Sequence, residues 1–232
     1  MKGYISSIES MGLHDGPGIR AVIFLGGCPL RCKFCHNPEM WTIKGSDEYT
    51  PQELMEKILR FKPYFGDNGG ITFSGGEPLN QIRFLEEMID LCKKNNIHTC
   101  LDTSGVGTNY EKILKDIDLV ILDIKDYRDK EYKELTGKSI DSYKKFLKDC
   151  IRLNKKLWLR QVIVPGMNDS KEYILGLKEY IKDIPNVEKV QLLPYHTMAL
   201  DKYEKLGIDY PLKGVPDMDK AKCKELETLL NK

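Results

Sequence analysis

The sequence predicts an α/β fold, a curved partial (β/α)6 barrel of the TIM type, built as a single domain over residues 1–232. Three observations lead there. Short apolar runs alternate with amphipathic helical patterns, and strand–helix alternation implies a parallel sheet with right-handed crossovers. No Pro/Gly-rich linker, compositional break or internal repeat divides the chain. Unusual polar residues recur at the carboxyl end of nearly every expected strand. Barrel sites are built from many strand ends, whereas a doubly wound open sheet gathers its site at one switch point.

Apolar runs at 21–25, 71–73, 98–101, 119–124, 157–164 and 189–193 mark six strands, most of them rich in Leu or β-branched residues. Thr50-Pro51-Gln52-Glu53 reads as a helix start: Thr50 caps, Pro51 suits the first helical position and Glu53 completes a capping box. Further helices are expected over about 80–95, 109–117, 141–154, 170–183 and 218–231. Helical periodicity puts Tyr143, Phe146, Leu147, Cys150 and Ile151 on one face. Ile82, Leu85, Ile89 and Cys92 share another face, and Cys223, Leu226 and Leu230 a third. Cysteine in such stripes acts as a small buried hydrophobe. Cys100, inside a strand, reads the same way.

Hydrophobic residues make up 41% of the chain and charged residues 31%, a globular composition. The net charge of +1, from 36 basic and 35 acidic residues, gives no drive toward nucleic acid or an anionic membrane. The stretch Met1–Glu9 lacks the apolar core of a signal peptide. No run approaches the roughly 20 apolar residues of a membrane-spanning helix. A cytoplasmic location is expected.

The seven cysteines are unevenly spread, with three crowded into Cys28-Pro29-Leu30-Arg31-Cys32-Lys33-Phe34-Cys35 after the first strand. An odd number without a secretion signal argues against a disulfide framework. Four chemistries compete for the C-x3-C-x2-C spacing. Structural zinc would use Cys28, Cys32, Cys35 and His36, but adjacent Cys35 and His36 reach one ion with difficulty. Cys32-Lys33-Phe34-Cys35-His36 matches a haem-attachment pattern that belongs to exported proteins and leaves Cys28 unused. A thioredoxin-like pair also leaves one cysteine over. A cubane [4Fe–4S] cluster held by three thiolates keeps one iron open for a ligand, and so suits a catalytic site surrounded by polar strand ends.

The C-x3-C-x-aromatic-C pattern, with Phe34 as the aromatic, resembles the radical S-adenosylmethionine (SAM) superfamily. Further segments resemble its pyruvate formate-lyase-activating branch. These are Asp15-Gly16-Pro17-Gly18-Ile19-Arg20, Cys35-His36-Asn37, Ser74-Gly75-Gly76-Glu77-Pro78, Cys100-Leu101-Asp102-Thr103-Ser104-Gly105, Leu122-Asp123-Ile124-Lys125, Val164-Pro165-Gly166 and Leu192-Leu193-Pro194-Tyr195-His196. They appear in order over most of the chain.

The resemblance implies a radical SAM core in which Cys28, Cys32 and Cys35 hold a [4Fe–4S] cluster and form the catalytic centre. The amino and carboxylate groups of S-adenosylmethionine chelate the open iron. Reductive cleavage then gives methionine and a 5′-deoxyadenosyl radical, which takes a hydrogen atom from a glycine of pyruvate formate-lyase. The resemblance assigns Phe34, Cys35, His36, Gly75, Gly76, Glu77, Asp123, Lys125, Arg160 and His196 to binding S-adenosylmethionine. It gives Asp102, Thr103 and Asp123 to a monovalent cation, Na+ or K+. It places Asp15 near the mouth where the partner's glycyl radical loop enters. By itself Asp15-Gly16-Pro17-Gly18 is a turn, and Arg20 has no role assigned.

A flavodoxin or ferredoxin is the implied electron donor, and a monomer docking transiently on its partner is expected. No cysteine lies between Cys35 and Cys92, so the chain lacks the cysteine-rich insert of larger activases and holds one cluster. Activation of another glycyl radical enzyme, radical chemistry on a peptide or small molecule, and a non-catalytic zinc module are the alternatives. A Rossmann dehydrogenase is disfavoured, since no G-x-G-x-x-G follows a strand.

Overall fold

A computed structural model describes residues 1–231. Strand β1 (Gly3–Gly12) leads into β2 (Arg20–Leu25), and a three-residue strand β3 (Asp47–Tyr49) follows the cysteine-bearing loop. The remaining strands are β4 (Gly70–Gly75), β5 (His98–Thr103), β6 (Leu119–Asp123), β7 (Lys156–Ile163) and β8 (Val187–Pro194). They form one sheet in the order β3-β1-β2-β4-β5-β6-β7-β8.

The six expected strands are present, and each pairs in parallel with the next. This sequential order, without reversal, is the arrangement of a barrel rather than of a doubly wound sheet. The sheet does not close. Its edge beyond β2 carries β1 and β3, both antiparallel and neither expected. Two register irregularities break the alternation of β1 against β2, and β3 is short, polar and half-exposed. Neither leaves a period-2 pattern to read.

The helices are α1 (Pro51–Leu59), α2 (Ile82–Lys94), α3 (Glu111–Asp116), α4 (Asp129–Thr136), α5 (Asp141–Arg152), α6 (Lys171–Ile181), α7 (Leu200–Leu206) and α8 (Lys220–Asn231). Thr50 and Glu53 form the expected capping box at α1. Helices α4 and α7 go beyond the expected set. Both are short, and α4 shows one apolar pair, Tyr132 and Leu135, in an otherwise charged stretch.

The two sheet faces differ in chemistry. One packs Ile23, Phe73, Val120 and Leu122 against helix residues such as Leu85, Met88 and Phe146 in the main core. Cys92, Cys150 and Cys223 are buried in that core, as their stripes require. The other face carries Thr72, Ser74, Asp102, Asp123 and Arg160, with a small cluster of Cys100, Leu119 and Ile121. The same strands therefore supply apolar side chains to the helices and polar ones to the inner face by simple alternation.

The β1–β2 turn lies against this inner face. Thr72 Oγ1 donates to the Asp15 carbonyl at 2.5 Å, and Arg160 Nη2 donates to that of His14. Arg20 anchors the turn from below. Its guanidinium is fully buried with no carboxylate partner among the described residues, donating to Thr72 Oγ1 at 2.6 Å, the Ile71 carbonyl at 2.6 Å and the Pro17 carbonyl at 3.0 Å. Removing it strands these acceptors, so Arg20→Ala should cost about 2–4 kcal/mol in urea unfolding. Arg20→Lys should recover only part, because an ammonium lacks the planar fork. Full recovery by Lys would show that charge, not geometry, matters there.

Candidate active site

The carboxyl ends of the six parallel strands surround a cavity of about 270 Å³. Cys28, Cys32 and Cys35 enter it from the loop after β2, Gly75 and Gly76 from the end of β4, and Asp102 and Thr103 from β5. Asp123 and Lys125 come from the end of β6, and Arg160 from β7. Asp15 reaches in from the β1–β2 turn, and Phe34 and His36 from the cysteine loop. Sequence positions separated by more than 140 residues thus meet at one place.

The three thiols share one wall. Burial pushes the Cys28 thiol up to about 12 and the Cys32 thiol up to about 11, and raises Cys35 as well. Without a cation they are neutral, and a bound metal would have to displace their protons. Among the described residues no three His, Cys, Asp or Glu side chains converge on a single metal position. A mononuclear zinc centre needs such convergence, whereas a cubane takes one thiolate at each of three irons. Arg31 Nη1 donates to the Cys28 carbonyl at 2.8 Å.

Opposite the thiols, Lys125 Nζ bonds Asp123 Oδ2 at 2.8 Å and lies 5.5 Å from the centre of the Phe34 ring. Burial alone would depress this ammonium, but the Asp123 carboxylate holds it above its usual range. Arg160 Nη1 sits 3.6 Å from Asp15 Oδ1 and 3.8 Å from Asp102 Oδ2. Two buried nitrogens have no hydrogen-bond partner among the described residues, Arg160 Nε and His196 Nδ1. Arg160 Nε, on a residue that lines the cavity, is a donor left free for a ligand.

Asp102 accepts from Ser74 Oγ at 2.7 Å. Burial, reinforced by the charge of Asp123, pushes its carboxyl up to about 7, against about 3.9 in an unfolded chain. A carboxyl raised on folding binds its proton more tightly in the folded state. Its contribution is therefore fully present below pH ~4 and is lost as pH rises toward 7, by at most about 1.4 kcal/mol per pH unit. In the metal-free chain, Asp102→Asn should gain on the wild type between pH 5 and pH 7 in urea unfolding. An unchanged difference between the two would remove this assignment.

Two of the expected ligand-facing residues, Glu77 and His196, do not line the cavity. Glu77 is the deeper of the two. It is fully buried behind the wall, and both its oxygens are occupied. Oε1 accepts from Thr103 Oγ1 at 2.5 Å and Leu79 N at 3.1 Å, and Oε2 from Ser104 Oγ at 2.5 Å and Ser104 N at 2.9 Å. The carboxylate thereby ties the loop after β4 to the loop after β5. Gly75 and Gly76 serve the same joint. A Cβ on Gly75, at φ +112°, would lie 2.4 Å from Leu25 N, and one on Gly76 would lie 2.4 Å from the Gly27 carbonyl oxygen. Only bare backbone fits there.

His196 stands just outside the cavity wall, its ring stacked on His36 with centroids 3.9 Å apart. His36 Nε2 lies 3.2 Å from the His196 carbonyl oxygen, and burial, then His196, pull His36 down to about 4. His36 is thus neutral at physiological pH. Ser74 and Ser104 also line the cavity; each lies inside one of the motifs named above, and a lone serine there carries no signal of its own. The lining residues Phe24, Leu30, Val162 and Leu193 carry no signal beyond strand alternation or apolar character.

Comparison with known proteins accords with this geometry. The radical SAM superfamily matches residues 22–177. A pyruvate formate-lyase-activating enzyme of Clostridium pasteurianum is 55% identical over 230 residues, spanning 98% of this chain and 97% of the relative. One from Staphylococcus epidermidis is 42% identical over 241 residues, spanning 100% and 96%. Among solved structures, a domain of pyruvate-formate lyase-activating enzyme from Bacteroides vulgatus superposes with a TM-score of 0.57 at 20% identity, over 70% of this chain and 93% of that one. Streptococcus suis SuiB superposes at 0.65 and 17% identity, over 89% of this chain and 44% of its own. These two report the fold alone. With more than half of its residues identical to a relative matched over nearly full length, the chain belongs to the pyruvate formate-lyase-activating enzymes of the radical SAM superfamily.

Proposed function

We propose that this protein installs a glycyl radical in pyruvate formate-lyase, with Cys28, Cys32 and Cys35 holding a [4Fe–4S] cluster and S-adenosylmethionine bound beside it. One observation carries the reading: three thiols, a glycine-lined strand end and an acidic–basic strand-end set open onto one cavity. When bound, the reduced cluster supplies the electron that cleaves the sulfonium of S-adenosylmethionine and so starts hydrogen abstraction from the partner's glycine.

The protein's own residues bind, orient and exclude water. The backbone at Gly75 and Gly76 receives the methionyl ammonium at close range. Lys125 and Arg160 hold its carboxylate, with the unpartnered Arg160 Nε as the free donor. His36 and Phe34 flank the adenine, and His196 backs His36 through their stack. Asp102, Thr103 and Asp123 offer hard oxygens to Na+ or K+. Asp15 faces the entering glycyl loop. Glu77 acts as a buttress: it positions Thr103 and Ser104 rather than touching the ligand.

A flavodoxin or ferredoxin delivers the electron, and the enzyme works in the cytoplasm as a monomer that docks transiently. Among the described residues no helix is long and apolar enough to cross a membrane, and the net charge of +1 offers nucleic acid no electrostatic attraction.

The test is anaerobic reconstitution with iron and sulfide, reduction by dithionite, addition of S-adenosylmethionine and pyruvate formate-lyase, then EPR spectroscopy. A glycyl radical doublet together with 5′-deoxyadenosine is the expected result. 5′-Deoxyadenosine without the doublet would keep the radical chemistry and reassign the substrate. Neither product, with iron bound, would overturn the reading.

A further inference from the structure

We infer that the outer surface of the cysteine loop, formed by Arg31, Lys33, Lys133 and Lys138, is the docking site for a small acidic protein carrying a one-electron centre. The inference rests on the function proposed above, which needs electrons one at a time at the cysteine wall.

Charge distribution is the first support. The chain as a whole is nearly neutral at +1, so any local excess is a matter of placement. Between Asp126 and Asp141, four of the five carboxylates are already paired. Asp126 binds Arg128, Asp129 binds Lys144, Glu131 lies by Arg128, and Glu134 lies by Lys130. The fifth, Asp141, sits in the first turn of α5, where the helix dipole offsets it. Lys133 and Lys138, both exposed, make no ion pair among the described residues, nor do exposed Arg31 and half-buried Lys33. The cysteine loop is stitched directly to this stretch: Arg31 N donates to the Thr136 carbonyl at 2.9 Å, and Lys33 N to that of Leu135 at 3.0 Å. Two unpaired cations therefore sit in the loop and two more in the short stretch hydrogen-bonded to it.

Proximity to the thiols is the second. Arg31 ties the surface to Cys28. Its Nη1 donates to the Cys28 carbonyl at 2.8 Å, and its guanidinium lies 4.9 Å from the centre of the ring of Trp41, whose carbonyl accepts from Cys28 N at 3.2 Å. The exposed Arg31 is thus one hydrogen bond from the backbone of a cysteine that is itself only partly buried. A cationic patch hydrogen-bonded to the cysteine loop suits the small, weak, electrostatically steered encounters of electron transfer. In the encounter one electron leaves the donor's reduced centre and one enters the cluster; no bond or proton is exchanged.

The test uses the reconstituted holoenzyme and a flavodoxin as probe. Its binding is measured by biolayer interferometry at low and high salt, and cluster bleaching by the photoreduced flavodoxin is followed by stopped flow. The variant is Lys133→Glu with Lys138→Glu; the charge-matched control is Lys94→Glu with Lys224→Glu, exposed residues of α2 and α8. The expected result is a Kd at least tenfold higher for the first pair, with the bleaching rate falling in parallel. The control should stay within about twofold, and dithionite-driven 5′-deoxyadenosine formation should be unchanged in both. Equal losses in both pairs, no loss in the first, or no salt-sensitive binding by the wild type would overturn the site. Failure of the proposed function would appear separately, as dithionite-driven wild type that makes no glycyl radical.

Discussion

Cys32→Ala is expected to reduce glycyl radical formation and S-adenosylmethionine cleavage to the background of iron-free protein, while the chain still folds. Cys32 is the most buried of the three loop thiols, at 7% exposure, and it shares one wall with Cys28 and Cys35. A cubane with two protein thiolates has two open irons, is labile, and no longer offers one defined chelating position. The structural cost is small, because alanine fills most of the space at the rim of a cavity, and about 1 kcal/mol is anticipated. Cys92→Ala reverses the pattern. Cys92 is fully buried in the helix–sheet core, so its loss should cost about 1–3 kcal/mol yet leave iron content and activity per folded molecule intact. Iron and sulfide analysis, urea unfolding and 5′-deoxyadenosine assays on both variants check the dissociation. An active Cys32→Ala protein would remove the cluster assignment; an inactive but stable Cys92→Ala protein would mean that the scattered cysteines are not merely packing.

How much of this was legible beforehand follows from the kind of signal each residue leaves. The six parallel strands and their helices were readable because burial on one face imposes a period on the sequence. The site was readable because the polar residues at strand ends interrupt apolar runs, where burial alone would not place Asp102, Asp123 or Arg160. Strand β1 was not, since its register irregularities scramble the alternation. Helix α4 was not, since it buries only two large apolar side chains, Tyr132 and Leu135. Arg20 illustrates a harder limit. Its partners are the Thr72 hydroxyl, the His98 ring and the carbonyls of Pro17, Ile71 and His98, and backbone acceptors leave no mark in a sequence. Glu77 shows the converse: its motif was visible, but whether its carboxylate faced the ligand or the wall depended on where Thr103 and Ser104 came to rest.

That placement makes Glu77 the second large effect. Glu77→Gln changes one atom, but the pocket that receives it is built entirely of donors. Leu79 N and Ser104 N cannot turn round to accept, and they point at different oxygens. In either orientation the glutamine amide therefore meets at least one N–H with its own N–H, leaving two buried donors unsatisfied. The loss should be about 2–4 kcal/mol. Glu77→Asp keeps the charge but is too short to span both loops, and should fall between. Burial already lifts the Glu77 carboxyl above its usual range against the pull of these hydrogen bonds, so the site is finely balanced and tolerates little change. Because Thr103 and Ser104 form the cavity wall, affinity for S-adenosylmethionine should fall by about tenfold even in the folded fraction, since a wall displaced by an ångström misplaces every contact it carries. Equilibrium dialysis of S-adenosylmethionine on the reconstituted variant, set beside its urea midpoint, separates the two effects. Lost stability with unaltered affinity would confine Glu77 to folding. Lost affinity at full stability would place its carboxylate on the ligand, against the geometry that buries it behind Thr103.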